Sequence, residues 1–141
     1  MLIIDASVAV KFVTAEAGQA EALSRIRSEP SLAAPDWILA EVSHALWRKA
    51  RAGLIHRDDA PSGLAELPIH LNRLIPSATL MPMALKLAFE LDHWVYDSLY
   101  LACALGSGAP LLAADRKFRN AAQRAGYGDV VELLSWKGQP E

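Results

Sequence analysis

Cysteine is almost absent from this sequence: Cys103 is the only one in 141 residues. A single thiol excludes a disulfide framework and leaves no cysteine-based zinc site, and it fits a reducing cytoplasm. Long apolar runs are missing too. No stretch approaches the ~18 uninterrupted apolar residues of a membrane-spanning helix. The opening Met1-Leu2-Ile3-Ile4-Asp5 lacks a basic segment and soon meets an acid, so no signal peptide or membrane association is expected. Charge of one sign is not in excess. Fourteen Lys and Arg stand against 16 Asp and Glu, a net charge of −2, which argues against nucleic-acid binding by the whole surface and leaves room for a local basic rim. There is no glycine-rich phosphate loop, no G-x-S-x-G nucleophile elbow and no internal repeat.

What is present is a chain for one folded domain, residues 1–141, with 135–141 as a tail. Hydrophobic residues make up 52% and charged ones 21%, which excludes a disordered chain. Leu2-Ile3-Ile4 reads as a short strand buried on both faces and ending at Asp5. Ala15 to Arg27 reads as a helix, Ala33-Ala34 as a brief strand, and Asp36 as the N-cap of a helix from Trp37 to Arg51 that Gly53 ends. A helix over 56–67 interrupted by Pro61, a strand over 69–75 and a helix over 78–91 follow. Tyr96 to Leu105 is helical up to Gly106-Ser107-Gly108. Pro110-Leu111-Leu112-Ala113 is a second apolar run leading to an acid, Asp115. A helix over 116–125 and a strand over 130–134 close the pattern. Short apolar strands alternating with helices predict an α/β domain around a mainly parallel sheet. Ligands of such sheets sit beyond the carboxyl ends of the strands, which puts Asp5 and Asp115 on the functional edge.

Four carboxylates stand out by position. Asp5 and Asp115 follow apolar strands, Glu41 borders the apolar face of its helix on a stripe with Trp37, His44 and Arg48, and Asp97 heads an otherwise apolar helix. Each alone could serve only as a helix cap or a dipole partner. If they converge, their mutual repulsion requires protons or cations to neutralise it. Hard oxygen donors without Cys or a His cluster select Mg²⁺ or Mn²⁺, and such a site suits phosphoryl chemistry. Ser7 could cap the first turn or support this site. Lys11, Arg48 and Arg116 follow the acids closely enough to be candidates for holding the phosphates of a nucleic acid.

Other groups carry less. Glu41-x-x-His44 matches half of a di-iron element but has no second copy. His93 lies four residues before Asp97 and is placed ahead of that helix. The four tryptophans, Trp37, Trp47, Trp94 and Trp136, are expected in the core or at an interface rather than as base-stacking platforms.

The ordered set resembles a known family. Asp5-Ala6-Ser7-Val8-Ala9-Val10-Lys11, Ala34-Pro35-Asp36 with Leu39-Ala40-Glu41-Val42, Tyr96-Asp97-Ser98-Leu99-Tyr100-Leu101-Ala102 and Leu111-Leu112-Ala113-Ala114-Asp115-Arg116-Lys117-Phe118 are similar to the four motifs of PIN-domain ribonucleases, especially VapC-type toxins. Each motif is weak alone, whereas their order and spacing from Met1 to about Leu134 is specific. The resemblance implies a three-layer α/β/α fold and a metal-dependent endoribonuclease leaving 5′-phosphate and 3′-hydroxyl ends. Asp5, Glu41, Asp97 and Asp115 would hold the metal, with Ser7 in support. It also implies a homodimer and a cognate antitoxin that blocks the acidic pocket. Ala113 departs from the Thr or Ser that the family often carries there, which suggests as an alternative a weak or inactive PIN-like RNA-binding or interaction module. A phospho-accepting receiver would need two acids after the first strand and a late strand-end Lys. A phosphatase-type nucleophile would need an Asp where Ser7 stands. Neither pattern is present.

Overall fold

Leu2, Ile3 and Ile4 have no polar side chain to offer water, and all three are fully buried as β1 (Leu2–Ile4), the middle strand of a five-stranded sheet. The computed structural model describes residues 1–140. β2 (Leu32–Pro35) and β4 (Leu111–Ala113) flank β1, while β3 (Arg73–Ile75) and β5 (Val131–Leu133) form the edges. Every pairing is parallel, with Leu2 opposite Leu32 and Ile3 opposite Leu111. The strand order β3-β2-β1-β4-β5 reverses direction at β1, so a crevice opens beyond the carboxyl ends of β1 and β4.

Helices cover the sheet. α1 (Ala6–Val13), α2 (Gln19–Ile26), α3 (Ile38–Arg51) and, after a 3-10 turn at Arg57–Asp59, α4 (Ala60–His70) pack on one another. α5 (Ser77–Leu91), α6 (Val95–Ser107) and α7 (Arg116–Arg124) form a second group. Buried from Ser98 through Ala104, α6 lies against β1, β2, β4 and α5. A helix apolar around its circumference is stable only in such a place. The α/β/α arrangement predicted from the motifs is the one observed.

Several local expectations are corrected. The chain turns into α1 directly after β1, because the Asp5 carboxylate accepts the Val8 N–H at 3.1 Å and caps a helix whose Val8, Ala9 and Phe12 are buried. The helix expected over 15–27 is limited to α2, after Gly18 at φ +88°, where a Cβ would lie 2.8 Å from the Trp136 ring. Asp36 does not cap α3: its carboxylate accepts the Ser77 N–H at 3.0 Å and tethers the start of α5. The strand expected over 69–75 shrinks to β3, since α4 runs on to His70 and Ile69 is exposed. The expected tail folds back, with Trp136 packed on the core and the Gln139 amide donating to the Ala114 and Leu134 carbonyls. Its last residue, Glu141, lies outside the described residues.

Candidate active site

β1 delivers Asp5 to the crevice, and the helix it caps delivers Ser7. The Ser7 hydroxyl donates to Asp5 Oδ1 at 2.6 Å and accepts the Ala114 N–H at 2.9 Å. One side chain thus ties the β1–α1 corner to the β4–α7 corner. Asp115 caps α7, accepting the Lys117 and Phe118 N–H groups at 2.9 and 3.3 Å. Glu41 comes from the first turns of α3 and accepts the Tyr100 hydroxyl at 2.8 Å, while Asp97 on α6 meets His93 Nε2 at 2.7 Å. Both contacts hold a carboxylate in one orientation.

Ser7, Glu41, Asp97 and Asp115 line a single cavity of about 780 Å³, together with Trp37, His44, Arg48, Trp94 and Tyr96. Asp5 sits beneath it, only 4% exposed. Burial pushes the Asp5 carboxyl up to about 7. The Ser7 and Val8 hydrogen bonds oppose that rise, and the charges of Asp97 and Glu41 add to it. Burial also raises Glu41, against the Tyr100 bond and with help from Asp97. Asp97 is raised by burial, opposed by His93 and reinforced by Asp115. Asp97 is thus the acid that links the others, close to Asp5, Glu41 and Asp115, which come from distant positions of the chain.

The donor set suits a hard divalent cation. Its donors are carboxylate oxygens that repel one another, and the most buried of them holds a proton near neutral pH when nothing else neutralises it. Among the described residues no three acidic, His or Cys side chains are grouped tightly enough to form a closed cage. A cation held here would therefore draw the rest of its shell from waters and substrate phosphates.

The basic candidates part company. Arg48 is exposed and lines the cavity. Lys11 does not: it is 6% exposed, its Nζ meets Glu16 Oε1 at 2.9 Å and the Ala17 carbonyl at 2.7 Å, and it lies 4.2 Å over the Trp136 ring. A buried ammonium needs such partners, so Lys11 is a structural cation with no access to RNA. Arg116 begins α7 beside Asp115 but does not line the cavity, and its Nε is buried without a hydrogen-bond partner.

Sequence reasoning missed Tyr100 and set His93 aside. Tyr100 follows Asp97 by three residues on the same face of α6, while His93 lies ahead of that helix, as the sequence suggested, and reaches Asp97 from the preceding loop. Of the four tryptophans only Trp136 packs on the core, while Trp47 and Trp94 are 53% and 76% exposed and Trp37 is 37% exposed.

Comparison with known proteins agrees with this geometry. Residues 2–124 match the PIN domain family, and the chain belongs to it. It is 30% identical over 117 residues to ribonuclease VapC1 of Mycobacterium tuberculosis, covering 82% of this chain and 86% of that protein. It is 32% identical over 118 residues to ribonuclease VapC3 of Pyrobaculum aerophilum, covering 82% and 90%. In fold it is similar to the crystal structure of PAE2754 from Pyrobaculum aerophilum, with a TM-score of 0.65, 24% identity and coverage of 85% and 84%. It is also similar to Mycobacterium tuberculosis VapC20, a toxin that cleaves the sarcin–ricin loop, with a TM-score of 0.64, 20% identity and coverage of 86% and 95%. Within the PIN family the chain stands with the VapC-type ribonucleases.

Proposed function

We propose that this protein is a Mg²⁺- or Mn²⁺-dependent endoribonuclease, the toxin of a toxin–antitoxin pair, acting in the cytoplasm to stop growth by cutting RNA. The observation that carries this reading is that Glu41, Asp97 and Asp115 line one cavity at the carboxyl edge of the sheet, with the buried Asp5 close enough to feel the charges of Glu41 and Asp97. Those four carboxylates would hold the cation. When bound, it would neutralise them, polarise the phosphodiester and activate water for in-line attack on phosphorus. Ser7 fixes Asp5 and the β4–α7 corner in one arrangement. Tyr100 and His93 orient Glu41 and Asp97. Arg48, on the same wall, would bind a flanking phosphate. The alternative, a weak or inactive RNA-binding module, takes its support from Ala113, which is fully buried in β4 and contributes no hydroxyl.

A second copy of the chain would cover Leu85 and Phe89, exposed one turn apart on α5, and sedimentation of the purified protein tests that dimer. No helix among the described residues is long and apolar enough to cross a membrane. Asp97→Asn is expected to abolish both RNA cleavage and growth arrest while leaving the fold intact. Mapping of new 5′ ends in total cellular RNA measures this. Full cleavage by the variant, in a preparation free of other nucleases, overturns the assignment. Metal titration separates the alternative: an inactive module binds neither Mg²⁺ nor Mn²⁺ at this site.

A further inference from the structure

The cavity wall carries aromatic rings as well as acids. Trp37 and Tyr96 lie nearly parallel, their centroids 5.6 Å apart and their planes 7° from each other. Trp94 stands beside them, three-quarters exposed, and all three line the same cavity as Glu41, Asp97 and Asp115. None serves as a helix cap: Trp37 and Trp94 occupy the N-cap positions of α3 and α6 without making a side-chain capping bond. Buried neighbours do the packing instead, Ile38 for α3 and Leu99 for α6. Large flat rings left in water beside a polar pocket are unusual on a folded surface, where Trp normally buries most of its area.

Their placement relative to the acids is regular. Trp37, Glu41, His44 and Arg48 follow one stripe of α3 and all four line the cavity, so ring, acid, imidazole and cation succeed one another over about 16 Å. On α6, Tyr96 adjoins Asp97. A base set on the rings would thus lie one helical turn from the carboxylates, the length scale of a single nucleotide, with Arg48 placed for a phosphate further along.

We propose that Trp37, Tyr96 and Trp94 form a stacking platform for an unpaired base next to the phosphate that is cut. This rests on the ribonuclease reading and adds to it which side chains would hold a base beside the scissile phosphate. Stacking accepts any base by its flat face, so the platform positions the strand without dictating sequence. A paired base keeps both faces inside its own helix and has none to offer.

The test crosses ring removal with base removal. A short unpaired RNA is cut under single-turnover conditions as the natural oligonucleotide and as versions with one abasic ribose on either side of the scissile phosphate. Wild type is expected to lose roughly 5- to 100-fold in apparent affinity with the abasic position that faces the platform. Trp94→Leu and Tyr96→Leu should lose a comparable amount with the natural RNA and little more when that base is also missing. Trp94→Phe, which keeps a ring, should recover most of the loss. A 2-aminopurine base at the same position should lose fluorescence on binding wild type and much less on binding Trp94→Leu. Equal abasic penalties in wild type and both Leu variants, with unchanged 2-aminopurine quenching, overturn the platform. If the Leu variants instead cut RNA normally but bind the antitoxin more weakly, the rings belong to a protein contact and the proposal is wrong. Failure of wild type to cut any RNA, together with an inert Asp97→Asn, would remove the ribonuclease reading itself, an outcome distinct from either of these.

Discussion

The β1–α1 and β4–α7 corners begin as near copies. In each, an apolar strand leads to an aspartate that caps the helix after it, Asp5 accepting the Val8 N–H and Asp115 accepting the Lys117 and Phe118 N–H groups. They end as different chemical groups. Asp5 lies under α1 and beside the charges of Glu41 and Asp97, where burial raises its pKa to about 7. Asp115 stands at the exposed rim of the same cavity. The same local motif therefore yields a buried acid whose charge is costly and an acid at the exposed rim. The central strand supplies the anchor of the site and its neighbour supplies the lip.

If that contrast is right, the largest effect comes from Asp5→Asn. Asparagine keeps the cap, because its amide oxygen can accept the same N–H, but it removes the carboxylate charge. RNA cleavage should fall by at least about a thousandfold while circular dichroism stays native. Asp115→Asn should cost less, about tenfold to a hundredfold, and more of that loss should be recovered at high Mg²⁺. Equal losses in the two variants would erase the distinction between the corners.

Ser7→Ala tests the tie between them. It orphans the Ala114 N–H and one contact of Asp5, and a buried donor left unpaired costs about 1–3 kcal/mol. Thermal denaturation should show a fall in Tm of about 3–10 °C. An unchanged Tm would mean that the corners hold their positions independently.

The subtlest signature is in pH. Between about pH 4 and pH 7 the folded, metal-free chain keeps a proton on Asp5 that the unfolded chain, titrating near 3.8, has released. The folded state binds more protons there, so this group's contribution to stability is present at low pH and is lost as pH rises through that window, on the order of 4 kcal/mol in all. Denaturant titrations across that range should show the decline in wild type and in Asp115→Asn, and should show it flattened in Asp5→Asn. Saturating Mg²⁺ should weaken the decline, because a cation and a proton compete for the same oxygens. A decline as large as wild type's in Asp5→Asn would assign it to Glu41 and Asp97, which burial also raises.

Much of this was legible before the coordinates. β1 and β4 announced themselves as apolar runs, and each acid stood at a strand end or in the early turns of a helix. α1 was hidden by its valines, which favour strands locally, until Asp5 capped it and burial of Val8, Ala9 and Phe12 outweighed that preference. Ile69 alternated with polar neighbours as a strand residue would, yet α4 carried it to the surface, because Gly63 and Leu67 pack that helix inward. Lys11 looked like a rim cation because its charge is visible in sequence and its burial is not.

By itself the amino-acid order determined which acids exist, which strand ends and helix starts carry them and what chemistry oxygen donors without sulfur can support. Tertiary structure alone decided which carboxylate is dry, that Ser7 links two corners and that Trp37, Trp94 and Tyr96 face the cavity. The reason is that charge and backbone preference are properties of a residue and its near neighbours. Desolvation and contact depend on what distant segments bring to the same place.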